Sequence, residues 1–300
     1  LFVRNAAAPS HTRLWYSSHM KRPTYEIEHF KESYDYHRDF QPNKAFARSA
    51  YRLIHRVMRP EVTYEPESQQ TLAELGEARA PQIYALNHLS NLHDQWTAAA
   101  IAQEIAPEMV GDIRVLAKDG FYNGELLTQL GVDAKYHRVL QPLMTRFVNN
   151  MGTIPVSRTK NHTENRALSL RSNQYMMDVL GELLEEGHPI AAYFESTHNY
   201  VHPEKNLPLK SGIGHLAKRT LAPGRTPASI VPIGVSYGRD YTPTGVGEAK
   251  PKHIRRAQVH IGKIATVEHG MSINDITQLA AVNLQDATTH AFELYDQRAQ

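Results

Sequence analysis

Apolar positions change their rhythm along the chain. From residue 81 onward, short and nearly unbroken apolar runs alternate with longer stretches of helical periodicity. The runs predict strands at 82–86, 113–117, 153–156, 189–194, 229–235 and 257–263. The stretches between them predict helices at 95–105, 139–150, 165–186, 211–220 and 275–298. Strands alternating with helices of this length define an α/β fold: a mixed, largely parallel central sheet with helices on both faces. Residues 190–194 and 230–235 are continuously apolar, as strands covered on both sides should be. Segments 119–138 and 236–256 read as long connections, the kind that carries function or mobility.

Ahead of this domain the pattern is helical over 24–60. In 45–59, Phe46, Ala50, Leu53, Ile54, Val57 and Met58 recur at helical spacing. Arg48, Arg52, Arg56 and Arg59 fall largely between them, and Pro60 ends the helix. Such a basic amphipathic helix either lies in a membrane interface or covers a core with its apolar stripe. The expected organisation is a helical N-terminal extension over 21–75 and an α/β domain over 76–300. Residues 1–20 are set apart as a disordered or targeting segment. The first 22 residues carry Arg4, Arg13, Lys21 and Arg22 without an acid. They read either as an organellar transit segment or as sequence upstream of a start at Met20.

Composition narrows the classes. Hydrophobic residues at 41% and charged residues at 21% fit a globular chain rather than a disordered or coiled-coil one. Thirty-three Lys and Arg against 31 Asp and Glu leave +2, so no global basic field points to nucleic acid. With no cysteine there is no disulfide framework, thiolate metal site or Cys nucleophile. No run approaches the roughly 18 apolar residues of a spanning helix. The expected setting is cytoplasmic, peripheral on a membrane as an alternative, or organellar if the N-terminal segment is a transit peptide.

Chemistry concentrates after the strands. Asn87-His88-Leu89-Ser90 directly follows the first apolar run, with Asp94 at the start of the next helix. A strand-end imidazole stands where open α/β sheets bind ligands, and a carboxylate beside it orients the ring for proton abstraction. The alternative is an ordinary helix cap built from Asn91 and Asp94. Arg158 follows the strand at 153–156, its fork available to a phosphate unless it is simply a surface arginine. Glu195 directly follows a fully apolar run, a costly place for a carboxylate unless it is paired or solvated. His198 and His202 have the spacing of a helical metal pair, but Pro203 and the polar surroundings argue for loop, and no metal is expected. Lys250, Lys252, Arg255 and Arg256 form a basic cluster that either touches anionic headgroups or is a solvated loop.

Together these segments resemble the glycerolipid acyltransferase superfamily, in order and spacing, over about residues 81–295. Asn87-His88-x-Ser90 resembles its first motif. The family spaces His and Asp by four residues, whereas five separate His88 from Asp94, and His93 occupies the family's acid position. The resemblance implies either that Asp94 takes the role across a one-residue bulge or that the dyad is altered. Gly152-Thr153-Ile154-Pro155-Val156-Ser157-Arg158 is similar to the second motif. In Phe194-Glu195-Ser196-Thr197-His198 only Glu195 and Thr197 match the third motif outright, and His198 stands in place of its arginine. Leu209-Lys210-Ser211-Gly212 is similar to the basic segment that follows, and 230–235 to the fourth motif. Lys118 matches the lysine after the strand between the first two motifs.

The resemblance implies an acyltransferase of phospholipid biosynthesis. A fatty acyl group would pass from acyl-CoA or acyl carrier protein to the hydroxyl of lysophosphatidate, or of glycerol-3-phosphate in the near alternative. His88 and Asp94 would be catalytic. Arg158, Glu195, Thr197, Lys118, His198 and Lys210 would bind the acceptor, with no cofactor required. Two other classes stay open: a catalytically silent relative that binds lipid at a membrane surface, and a metal-dependent hydrolase using His88, His93 and Asp94.

Overall fold

A computed structural model describes residues 22–299 apart from 91, 92, 130, 158–162, 196, 198, 246 and 247. The segment 1–20 therefore lies outside the described residues.

The chain runs α1 (Phe30–Asp39), α2 (Lys44–Met58), β1 (Glu61–Tyr64), α3 (Ser68–Glu77), β2 (Gln82–Leu86), α4 (His93–Ile105), β3 (Arg114–Lys118), α5 (Glu125–Gln129) and α6 (Ala134–Asn150). It continues with β4 (Thr153–Val156), α7 (Arg166–Glu185), β5 (Ile190–Ala192), α8 (Gly212–Arg219), β6 (Ser229–Ser236), β7 (Tyr241–Gly245), β8 (Glu248–Pro251), β9 (Gln258–Ile261), β10 (Ala265–Thr266) and α9 (Ile273–Ala299). The α/β class is as expected: a largely parallel central sheet flanked by helices, with a helical region at the N-terminal side.

The sheet order is β1-β9-β6-β2-β5-β3-β4, with β10 also on β6. Strands β6, β2, β5, β3 and β4 run parallel to one another, while β9 and β10 are antiparallel to β6. The carboxyl ends of the five parallel strands therefore share one edge. Side-chain alternation along β2 divides the core: Tyr84 and Leu86 pack with Ala47, Tyr51 and Ile101 of α2 and α4 on one face. Ile83 and Ala85 pack with Leu180, Leu184, Leu216 and Ile276 of α7, α8 and α9 on the other. Every residue of β2 and β6 is buried, the physical reason their sequences are so apolar.

Pro232 fits inside β6 for a specific reason. Along that side β6 pairs with β10 at Ser229 and Ile230 and with β9 from Ile233 to Ser236, so the proline falls between the two antiparallel partners. Gly234 lets α9 lie directly on the strand: a Cβ there would sit 2.1 Å from the Ala287 carbonyl oxygen. Gly152 adopts φ +78°, and its added Cβ would meet the Ile113 carbonyl oxygen at 2.2 Å, which fixes the turn between α6 and β4.

Several local expectations change. The span 21–75 is not wholly helical: Glu61–Tyr64 forms an edge strand parallel to β9, and Ser68–Glu77 is a helix. Only four residues long and partly exposed, that strand lacks the apolar run that marks the others. Tyr34 of α1 and Tyr51 of α2 belong to the two cores, so this span covers the sheet rather than extending from it. The run at 189–194 pairs only over Ile190–Ala192, leaving Tyr193 and Phe194 beyond the ladder. The connection 236–256 contains the hairpin β7–β8, and 119–138 contains α5 and the start of α6. Among the described residues no helix is long and apolar enough to cross a membrane.

Candidate active site

The end of β2 is locked before the loop begins. The Asn87 side chain donates to the Val235 carbonyl at 3.0 Å and accepts from the Val235 amide at 2.8 Å, imitating one more strand residue. This presents the buried His88 at the carboxyl edge of the sheet.

Asp94 is the acid that meets it. His88 Nδ1 lies 2.8 Å from Asp94 Oδ2, which also accepts the backbone amides of Leu89 at 2.7 Å and Ser90 at 2.8 Å. Asp94 Oδ1 accepts from the Tyr237 hydroxyl at 3.0 Å, and Thr97 Oγ1 lies 2.7 Å from the same phenol. With one proton to give, the phenol donates to the carboxylate and accepts from the threonine. A carboxylate facing this many donors is an acceptor only, so Nδ1 donates and the basic nitrogen of the neutral ring is Nε2. His93, at the position the resemblance reserves for the acid, instead has its Nδ1 2.9 Å from Ser90 Oγ.

Tyr193 completes the setting. Its ring stacks on His88 with centroids 4.7 Å apart, and its hydroxyl donates to the Asp94 carbonyl at 2.7 Å. Glu195 is buried: Oε1 accepts the His88 amide at 2.9 Å and Oε2 the Leu207 amide at 2.6 Å. Burial pushes its carboxyl up to about 7, against the pull of those two amides. With each oxygen accepting a backbone amide, Glu195 shapes the dyad loop.

Of the other candidates, only Lys118, Thr197 and Lys210 lie among the described residues. Lys118 ends β3, with β5 between it and β2, and its ammonium is ion-paired with Glu125 of α5. Thr197 is exposed. Lys210 is exposed just before α8, and its amide donates to the Phe194 carbonyl at 2.9 Å. Arg158 and His198 lie outside the described residues. Among the described residues no group of three or more His, Asp or Glu is arranged to hold a metal ion.

Beside the dyad opens an apolar cavity of about 680 Å³ between α2, α4, α6 and β3. It reaches Gln95 and Trp96, on the same helical turn as Asp94, and extends to Ile54, Leu143 and Phe147. The volume is typical of small-molecule sites, roughly 300–1,000 Å³. The amphipathic stripe of α2 is divided at this point. Ala47, Tyr51, Ile54 and Met58 are buried, whereas Phe46, Leu53 and Val57 are exposed, Leu53 at 62%.

Tyr193, Tyr237, Thr97 and Leu207 serve the site without being singled out by the sequence pattern. A tyrosine one residue past an apolar strand is the signal available for Tyr237, because its hydroxyl emerges where the parallel strands end. No family model matches this chain, and no curated protein matches it.

Proposed function

We propose that this chain is an acyltransferase of the glycerolipid type, moving a fatty acyl group from a thioester to the hydroxyl of lysophosphatidate. The observation that carries the reading is the 2.8 Å contact between His88 Nδ1 and Asp94 Oδ2, with an acyl-sized apolar cavity reached by the next residues of the same helix, Gln95 and Trp96.

In this reaction His88 Nε2 takes the proton of the acceptor hydroxyl while Asp94 stabilises the imidazolium that results. The acceptor oxygen forms a bond to the thioester carbonyl carbon. Collapse of the adduct breaks the carbon–sulfur bond, and the leaving thiolate takes the proton back from His88. No acyl-enzyme forms, and holding two reactants in one site supplies much of the acceleration. The cavity would hold the acyl chain, and an acceptor phosphate would compete with Glu125 for Lys118.

A membrane surface is the proposed source of the acceptor. Phe46, Leu53 and Val57 on α2 stand exposed, as do Val139 and Leu143 on α6, and Leu143 also lines the cavity. Arg48, Arg52 and Arg56 on α2 make no ion pair among the described residues, and α2 has no acid. That combination suits an anionic bilayer.

The test is transfer of labelled acyl-CoA to lysophosphatidate by purified protein, with glycerol-3-phosphate as a parallel acceptor. The reading expects a phosphatidate product that His88→Ala reduces at least a thousandfold, an order typical of losing a general base together with its positioning role. Product formation unaffected by that change would overturn the mechanism. A folded wild-type protein that transfers to neither acceptor would leave the lipid-binding relative as the better reading.

A further inference from the structure

The basic cluster that the proposed reaction leaves unused lines a cleft of its own. The loop after β8 and the C-terminal helix α9 enclose about 500 Å³, walled by Lys252, His253, Arg255, Arg256, Arg298 and Tyr295. No carboxylate lines it. Two of these cations already have acidic partners, Lys252 with Asp240 at 3.5 Å and Arg298 with Glu61, while Asp296 pairs with Arg239. Arg255 and Arg256 make no ion pair among the described residues. Arg256 holds a left-handed backbone, φ 57°, pinned by its amide to the Met58 carbonyl at 2.7 Å. The cleft is thus a concave site lined by cations, two of them, Arg255 and Arg256, without an ion pair among the described residues and Arg256 on a fixed backbone.

Its place relative to the dyad matters. Tyr295 packs on Gly238, where an added Cβ would come within 2.5 Å of the ring. Gly238 directly follows Tyr237, the donor to Asp94. The buried Tyr241 hydroxyl, which has no hydrogen-bond partner, is within Coulombic reach of both Asp94 and Tyr295. One wall of the cleft is therefore continuous with the wall of the site.

We propose that this cleft binds a small molecule carrying two or more phosphates, of the chemical class to which the nucleotide end of a coenzyme A thioester belongs. Guanidinium forks match phosphate oxygens bidentately, and the two unpaired arginines, Arg255 and Arg256, suit more than one phosphate group. Tyr295 offers an aromatic face to a nucleobase. The donor assignment rests on the acyl-transfer reading; the binding of a polyphosphate does not.

The experiment is equilibrium binding to the whole chain, by calorimetry, of coenzyme A, 3′,5′-ADP and pyrophosphate. Vesicles of phosphatidylcholine with and without phosphatidylglycerol form a separate arm. The expected result is saturable nucleotide binding that weakens with salt. R255E/R256E should weaken it about tenfold or more, since two guanidinium–phosphate contacts become repulsions, and H88A should leave it unchanged. A circular dichroism spectrum and thermal midpoint matching the wild type would show that the double variant folds. Should R255E/R256E misfold, R255Q tested alone still has to weaken binding. Absent nucleotide binding, or binding indifferent to both variants, would overturn the proposal. So would a dependence on Arg255 and Arg256 found only with the anionic vesicles. Loss of transfer in H88A alongside intact nucleotide binding separates this test from that of the reaction.

Discussion

Glu195 Oε1 accepts the backbone amide of His88 at 2.9 Å, so the loop carrying the imidazole is anchored from the turn after β5 as well as by Asp94 within it. The second oxygen ties down Leu207. Glu195→Gln sets an amide NH2 against one of two backbone N–H groups. Chemical denaturation should show a loss of about 1–3 kcal/mol, the cost of a buried donor left unmet. If stability is unchanged, the clamp is not what holds the loop.

The same carboxyl gives the protein a distinctive pH profile. Glu195 is raised from 4.5 to about 7, so between those values the folded chain retains a proton that the unfolded chain has released. Its contribution is fully present below pH 4.5 and is lost as pH rises through about 7. His37 works in the opposite sense: burial, with Arg114 nearby, lowers it from 6.5 to about 3. Its contribution is present above pH 6.5 and lost as pH falls toward 3. Denaturant titrations across pH 4–8 should show Glu195→Gln removing a downward slope and His37→Gln removing an upward one.

Asp94→Asn tests which acid serves His88. The asparagine cannot accept from the ring and from both loop amides as the carboxylate does, so ring orientation and tautomer are lost together. Under the proposed reaction, turnover should fall roughly 10²–10⁴-fold. His93→Ala should cost far less. The reverse ranking in a kcat comparison would move the acid to His93's position and discard the Asp94 assignment.

Tyr237→Phe keeps the ring and deletes one hydroxyl. Asp94 Oδ1 and Thr97 then lose their shared partner in a buried place. We expect a destabilisation of about 1–3 kcal/mol and a lowered kcat with KM nearly unchanged. A rise in KM alone would instead mean that the phenol touches substrate.

Leu53→Asp with Val57→Asp addresses the surface of α2. Both side chains are exposed, so folding stability should move by no more than about 0.5 kcal/mol per site. Co-sedimentation with anionic vesicles should drop markedly. Retention at the wild-type level would remove α2 from the membrane contact.

Much of the sheet was legible because β2 and β6 are wholly buried and so written in unbroken apolar residues. The edge strand Glu61–Tyr64 was not: half-exposed and four residues long, it carries no pattern that distinguishes it from the end of a helix. Within the site, His88 and Asp94 could be named because strand-end position and residue type converge on them. That the acid standing one residue late still reaches the ring depends on the backbone of the loop, which residue identities do not encode. Tyr193 and Tyr237 were hidden by their own hydrophobicity, since an aromatic near a strand end reads as core until its hydroxyl is seen to bond. Glu195 was noticed as a carboxylate out of place, but its partners are main-chain amides, and these carry no sequence signature.

The pairing of Glu61–Tyr64 with Gln258–Ile261 has a consequence for biosynthesis. Among the described residues, the first strand finds its neighbour nearly two hundred positions later, and the helix that packs on β6 comes later still. Until that closing stretch emerges, the apolar surfaces of the nascent chain stand uncovered. Closing so long a loop before the pair forms is the kind of non-local contact that slows folding.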